Sequence, residues 1–386
     1  MSINASGGKE TSTPSAALNP VSGKPISSET HNRYDLGLTV RQPLFSLSSY
    51  YDWRRYKVAE QARKENHRAS DGDAFQATVN AYLSLVSSRL LADMARDYEM
   101  QLQDLLSYIN KRVEAGAASI SDMARVRARS QSALSSRLEQ ESAHTAAGIE
   151  FVRLTNVVPQ LARLPEVEEI GASLVPKSLN DAVSMAMATN PDISALLAEI
   201  EASGINMNGA KSRYLPQIDM EYTNSYTQHA LGDPSPAGQR DARYMLVLNW
   251  NLFSGGSDYY AHHERAVQRT ELEHRLDDQR RRIIQSLSAN YALLATTRER
   301  IATGYRVLES TSTAADAMSK RMLSGNQSLL DLLDVYNSYY QARTGLVNLH
   351  AQEMNTVSQL IRLTSGVPVP VAAKAAGQTT PAPVPQ

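Results

Sequence analysis

Two hydrophobic periods alternate along this chain. In Arg33 to Arg41 the apolar Tyr34, Leu36, Leu38 and Val40 alternate with polar residues or glycine, the period of a half-buried strand. Tyr244, Leu246, Leu248, Trp250 and Leu252 repeat that pattern, and before them Ile218, Met220, Tyr222 and Tyr226 do the same. Between the last two lies the turn-rich Leu231-Gly232-Asp233-Pro234-Ser235-Pro236-Ala237-Gly238. Residues 217–252 therefore predict a β-hairpin with one polar and one apolar face. Its aromatic residues suit the lipid boundary of an outer-membrane barrel, and equally an amphipathic sheet over a soluble core.

After each strand the period lengthens. Tyr82, Val86, Leu90, Met94, Tyr98, Leu102, Leu106, Ile109 and Val113 recur at steps of three and four, an apolar stripe on one helix face. No proline lies between Pro43 and Pro159 or between Pro236 and Pro368, so the strongest helix breaker is absent from both windows. A helix from Ser48 to Val113 would be roughly 100 Å long, a length that implies a coiled coil or a stacked helical wall. Gly116 and Gly325 break the two long helices, and a shorter helix returns to Pro159 or Pro368. A further short helix is expected over Asn190 to Ser212.

The chain is a tandem duplication. Slid by 209 residues, Lys111 to Asp122 falls on Lys320 to Asp331, and Val152-Arg153-Leu154-Thr155 on Ile361-Arg362-Leu363-Thr364. Val158-Pro159 and Val367-Pro368 follow in register, while Leu44-Phe45 matches Leu252-Phe253 at an offset of 208. Ordered blocks of this kind mark an internal repeat.

Composition narrows the class only by exclusion. With a formal charge of −1, the chain of 386 residues lacks the basic balance of a nucleic-acid binder. It has no cysteine, which excludes disulfides, Cys-based metal sites and lipid attachment through a thiol. No stretch has the apolar length of a membrane-spanning helix, and a β-barrel stays allowed. Residues 1–32, rich in Ser, Thr, Gly and Pro, do not read as a signal peptide and show no strand alternation over Ser6 to Thr13.

No catalytic or cofactor-binding constellation is apparent, and no metal site. His262, His263 and Glu264 are adjacent on a helix and point apart, without the i, i+4 partner a metal needs. Arg280-Arg281-Arg282 beside Asp277-Asp278 reads as a solvated face, and Tyr336, Tyr339 and Tyr340 as packing. Ser119-x-x-Asp122 and Ser328-x-x-Asp331 read as paired helix caps. Asp334 differs, because its counterpart in the first copy is Arg125, so the duplicated fold does not require an acid there.

Taken together, a strand ending in Leu252-Phe253-Ser254-Gly255-Gly256-Ser257, a long helix, then Gly, five residues and Asp, all in two copies, resembles the TolC-like outer-membrane efflux proteins over about residues 33–366. The resemblance implies a mainly α fold with a small β part: a trimeric outer-membrane β-barrel, four strands per chain, continuing into a periplasmic α-helical barrel. On that reading residues 33–157 are repeat 1, 158–186 an equatorial linker, 187–366 repeat 2 and 367–386 a disordered tail. Residues 1–32 become a disordered or extracellular-loop remnant, in a chain expected to lack its signal peptide, first short helix and first strand. Gly116 and Gly325 become periplasmic tip turns, and Asp331, Asp334 and Asp122 the acidic constriction. Lys111, Arg112, Lys320 and Arg321 become candidates for docking an adaptor. Where the family commonly places an Arg and a Tyr that latch the tip, this chain has Gln327 and Met322. The implied partners are two further copies, a periplasmic adaptor, an inner-membrane ABC or proton-driven pump and outer-membrane lipid. The implied role is a passive exit duct for secreted protein or small-molecule substrates, and the Phe253 to Asp258 step resembles the type I protein-secretion branch. The competing expectation is a soluble, elongated coiled-coil scaffold.

Overall fold

A computed structural model describes residues 2–12, 29–159, 163–228, 239–323 and 328–367. The order is β1 (Ser2–Ser12), β2 (Glu29–Phe45), α1 (Leu47–Glu114), α2 (Ile120–Thr155), α3 (Leu179–Thr189), α4 (Pro191–Ala210), β3 (Gln217–Gln228), β4 (Gln239–Asn249), α5 (Ser257–Leu323) and α6 (Leu329–Thr364). Gly325, Gln327 and residues 368–386 of the expected tail lie outside the described residues.

The duplicated sequence units are not the compact units. One compact unit takes the residues up to Glu60 together with Ala198–Glu273, and the other takes Gln61–Leu197 with the residues from His274 onward. Each draws on both repeats, because strands and helices from the two copies pair with each other.

In the first unit the four strands form one antiparallel sheet in the order β1-β2-β3-β4. Cross-strand partners place Ile3 opposite Leu38, Ala5 opposite Leu36, Leu36 opposite Tyr226, Val40 opposite Tyr222, and Tyr222 opposite Tyr244. One face is thus apolar through all four strands, with Tyr222 and Tyr244 in ring contact at 4.6 Å. That face is uncovered: Leu36 is 53% exposed, Tyr244 71% and Leu246 72%. The other face holds Arg41, whose guanidinium donates to Glu221 at 2.8 Å, and the buried Asp219.

The sheet corrects the expectation for residues 1–32. Ser2–Ser12 is a full strand in an eleven-pair ladder with β2, so the first strand is present. Its Ser, Gly and Lys residues carry little strand preference of their own, and backbone pairing to the strongly patterned β2 decides the matter. A second correction is the end of β4, at Asn249 rather than Leu252; Trp250 leaves the ladder and its indole N–H donates to Tyr214 O at 3.2 Å.

In the second unit, α1 buries two adjacent stripes. Val86, Leu102 and Ile109 of the predicted stripe are buried, and so is a neighbouring row of small residues, Ala81, Ser88, Ala92 and Ala95. Two buried stripes are what a helix with neighbours on two sides needs. The expected linker is more structured than anticipated: a 3-10 turn at Ala172–Leu174 precedes α3. Ser178 Oγ accepts from the Asp181 N–H at 3.1 Å to cap α3, as the first residue of a Ser-x-x-Asp capping pattern does. The predicted short helix is α4.

Candidate functional site

The helical turn between α1 and α2 is built around Gly116. At φ +70° it sits in the left-handed region, where glycine carries no side-chain penalty, and the turn closes with Ala117 N donating to Arg112 O at 2.7 Å. Arg112 is committed locally: its guanidinium lies 5.8 Å from the Tyr108 ring centre and donates to Ala117 O at 3.2 Å. Lys111 and Arg112 fall in the last turn of α1, Lys320 and Arg321 in that of α5, where cations complement the helix dipole. Lys111, Lys320 and Arg321 are exposed.

The two expected caps differ. Ser119 Oγ accepts from the Asp122 N–H at 3.0 Å, which gives Asp122 a place in the start of α2. Ser328 occupies the same position before α6 but makes no side-chain capping bond, so the expected second cap is not formed. Asp331 and Asp334 are exposed one turn apart on α6, with Leu332 and Leu333 buried between them. Residues three apart share a helix face, so the two carboxylates lie along one exposed strip.

Behind that strip all four long helices meet. Leu102 and Ile109 of α1, Val126 and Ala133 of α2, Ala315 and Met322 of α5, and Leu332 and Tyr336 of α6 form one apolar cluster. Met322, at the position where a latching side chain was expected to be missing, is buried in it, and its carbonyl accepts from the Tyr108 hydroxyl at 3.2 Å. The first and second hairpins are further joined by Tyr98 of α1 stacked on Tyr340 of α6, with ring centres 4.7 Å apart and planes within 9°. Arg343 of α6 donates to Asp97 of α1 at 3.2 Å through both terminal nitrogens and covers the Tyr339 ring. Burial pushes the Tyr98 hydroxyl above its ordinary pKa; the nearby Arg129 opposes this, and Tyr340 and the Asp334 carboxylate reinforce it. The Asp334 carboxylate thus acts on the inter-hairpin contact through its charge. Asp97 and Arg343 had no sequence signal, being 246 residues apart; Tyr98 and Tyr340 were read only as packing.

Residues 182–366 match the family model described as outer membrane efflux protein. The chain is 21% identical over 319 residues to the alkaline protease secretion protein AprF of Pseudomonas aeruginosa, covering 82% of this chain and 66% of that one. It is 22% identical over 332 residues to the outer membrane protein TolC of Salmonella enteritidis, again covering 82% and 66%. It thus spans just under two thirds of the length of these relatives. The Campylobacter jejuni CmeC outer membrane channel shares the fold with a TM-score of 0.74 at 16% identity, covering 95% of this chain and 77% of that one. A four-stranded sheet and two long helical hairpins are the fold the chain shares with that channel. Over residues 182–366 the chain is similar to the outer membrane efflux proteins, as its duplicated motifs implied, and that likeness points to the outer membrane.

Proposed function

We propose that three copies of the chain form a passive exit duct, conducting cargo that an inner-membrane pump drives and a periplasmic adaptor admits. The observation that carries this reading is the uncovered apolar face of a sheet whose β1 and β4 are both edges within the chain. Strand edges are not tolerated in hydrocarbon, where every backbone group must be paired. Three sheets of four strands joined edge to edge remove all edges and turn the apolar face to lipid. A soluble coiled-coil scaffold gives that face nothing to do.

At the helical turns, trimerisation would bring six carboxylates, from Asp331 and Asp334, near one axis. Like charges so close favour a bound cation. Lys111, Lys320 and Arg321, exposed in the last turns, are the cations we assign to adaptor docking. For cargo, the Phe253 to Asp258 step and the protease-secretion name of a relative favour a secreted protein.

Two measurements test the reading. The chain should pellet with membranes and run as a trimer in detergent; a soluble monomer would overturn the duct. In planar bilayers, Asp334→Ala should weaken divalent-cation block of the conductance several-fold, and unchanged block would remove the acidic constriction.

A further inference from the structure

Where the sheet gives way to the helices, a second concentration of charge lies outside the proposed duct chemistry. A cavity of about 150 Å³ is lined by Arg55 and Ser48 of α1, Asn206 of α4, Arg213 of the 3-10 turn Lys211–Tyr214 that follows α4, and Arg265 of α5. Asp52 is the one carboxylate in the lining, beside three guanidiniums of which one, Arg213, also pairs with Asp258 outside it.

None of the three is well satisfied. Arg55 reaches Asp52 only at 3.4 Å, and its Nε is buried without a hydrogen-bond partner. Arg213 donates to Asp258 at 3.4 Å. Arg265 donates to Asn206 O at 3.2 Å and, among the described residues, pairs with no carboxylate. A guanidinium carries five N–H donors in a fixed fork; of these Arg55 Nε is buried and unpaired, and a buried unpaired donor is costly to keep. The first turn of α1, which supplies Ser48, contains no acidic residue, so its positive dipole end adds to the same field.

Both the size and the surroundings of the cavity identify what would neutralise it. Arginine forks match phosphate oxygens, two bonds at a time. On the same turns of α1, Trp53 is 60% and Tyr56 64% exposed, with Lys57 over the Trp53 ring and Arg55 over the Tyr56 ring. Exposed amphipathic aromatics interleaved with cations are the residues that settle at the headgroup level of a membrane. We infer that the pocket formed by Arg55, Arg213 and Arg265 binds the phosphate of an anionic phospholipid headgroup. This rests on the outer-membrane location and not on the duct activity.

The test uses the full chain purified in a neutral detergent, titrated with phosphatidylglycerol, phosphatidylcholine or inorganic phosphate and read by native mass spectrometry. Phosphatidylglycerol should be retained at least tenfold more tightly than phosphatidylcholine, and Arg55→Gln with Arg265→Gln should abolish the difference. Arg54→Gln, on the same helix but outside the pocket, should leave it unchanged. Inorganic phosphate should compete only at millimolar concentration. Where the Gln variants lose their helical circular dichroism, the Arg55→Lys, Arg265→Lys pair keeps the charge without the fork, and lipid retention should fall between wild type and background. Equal retention of the two lipids, retention unmoved by either pair of variants, or tight binding of inorganic phosphate without lipid discrimination would each overturn the proposal.

Discussion

Some single residues in this protein are fixed by their neighbours more than by their own preferences. Gly72, in the middle of α1, could be an alanine by helix propensity alone. A Cβ there would lie 2.6 Å from Arg362 Cδ and 2.9 Å from the Gly366 carbonyl oxygen. Arg362 is itself held, donating to Asp73 at 2.7 Å and to Asp192 at 3.1 Å. Burial alone would lower its pKa, and those two carboxylates reverse the direction. Gly72→Ala should therefore destabilise the second unit by about 1–3 kcal/mol, seen as a lower thermal midpoint. Asn190 is fully buried and bridges two elements. Its side-chain oxygen accepts from the Asp192 N–H at 2.9 Å, and its amide donates to Leu363 O at 2.8 Å. Asn190→Ala should cost about 1–2 kcal/mol through the lost cap, and Asn190→Asp, which keeps the accepting oxygen but sets a buried carboxylate against the Leu363 carbonyl, should cost at least as much. Asn190 stands at the start of the short helix expected over Asn190 to Ser212, with Pro191 at the first helical position, which proline suits. Gly72 was not legible, since the residues it must admit lie at the far end of the chain.

At the scale of elements, what could be read from sequence was what repeats within the element. The long helices and β2 to β4 announce themselves by period, and α1 was placed to within a residue at each end. β1 was missed because Ile3, Ala5 and Gly7 alternate too weakly to be recognised without the partner strand that orders them. α3 was missed because its start lies within a segment read as linker. Within the candidate site, Asp334 was legible as a departure between the two copies, and Asp331 as the counterpart of Asp122. The contact that holds α1 to α6 was not, because it joins Asp97 and Tyr98 to residues more than two hundred positions away. That contact makes its own predictions. Tyr340→Ala removes a stacked pair worth about 0.5–1.5 kcal/mol beyond its buried area, and should raise the frequency of high-conductance openings in bilayers. The raised pKa of Tyr98 means that its contribution is intact below the ordinary tyrosine value of about 10 and is lost as the pH climbs through the folded-state value. The wild-type channel should thus open more readily at alkaline pH, an effect that Tyr98→Phe should reduce.

At the scale of the molecule, the sheet depends on all four strands. Deleting Ser2–Ser12 leaves β2 as a raw edge, and three strands per copy give a barrel whose seams no longer match. The truncated chain should fail to form a detergent-resistant trimer while keeping most of its helical circular dichroism; a normal trimer would show that β1 is dispensable. The pairing of β2 with β3 has a kinetic side as well. Tyr34 faces Gln228, so the ladder cannot start until everything from α1 to α4 has been made. Contacts that close large loops form slowly, whereas neighbouring helices meet early. The hairpin of α1 and α2 is therefore ready while β2, paired on one side to β1, still waits for β3, and this protein must spend part of its life with finished helices and a bare, sticky strand edge, the interval in which a holding chaperone has most to protect.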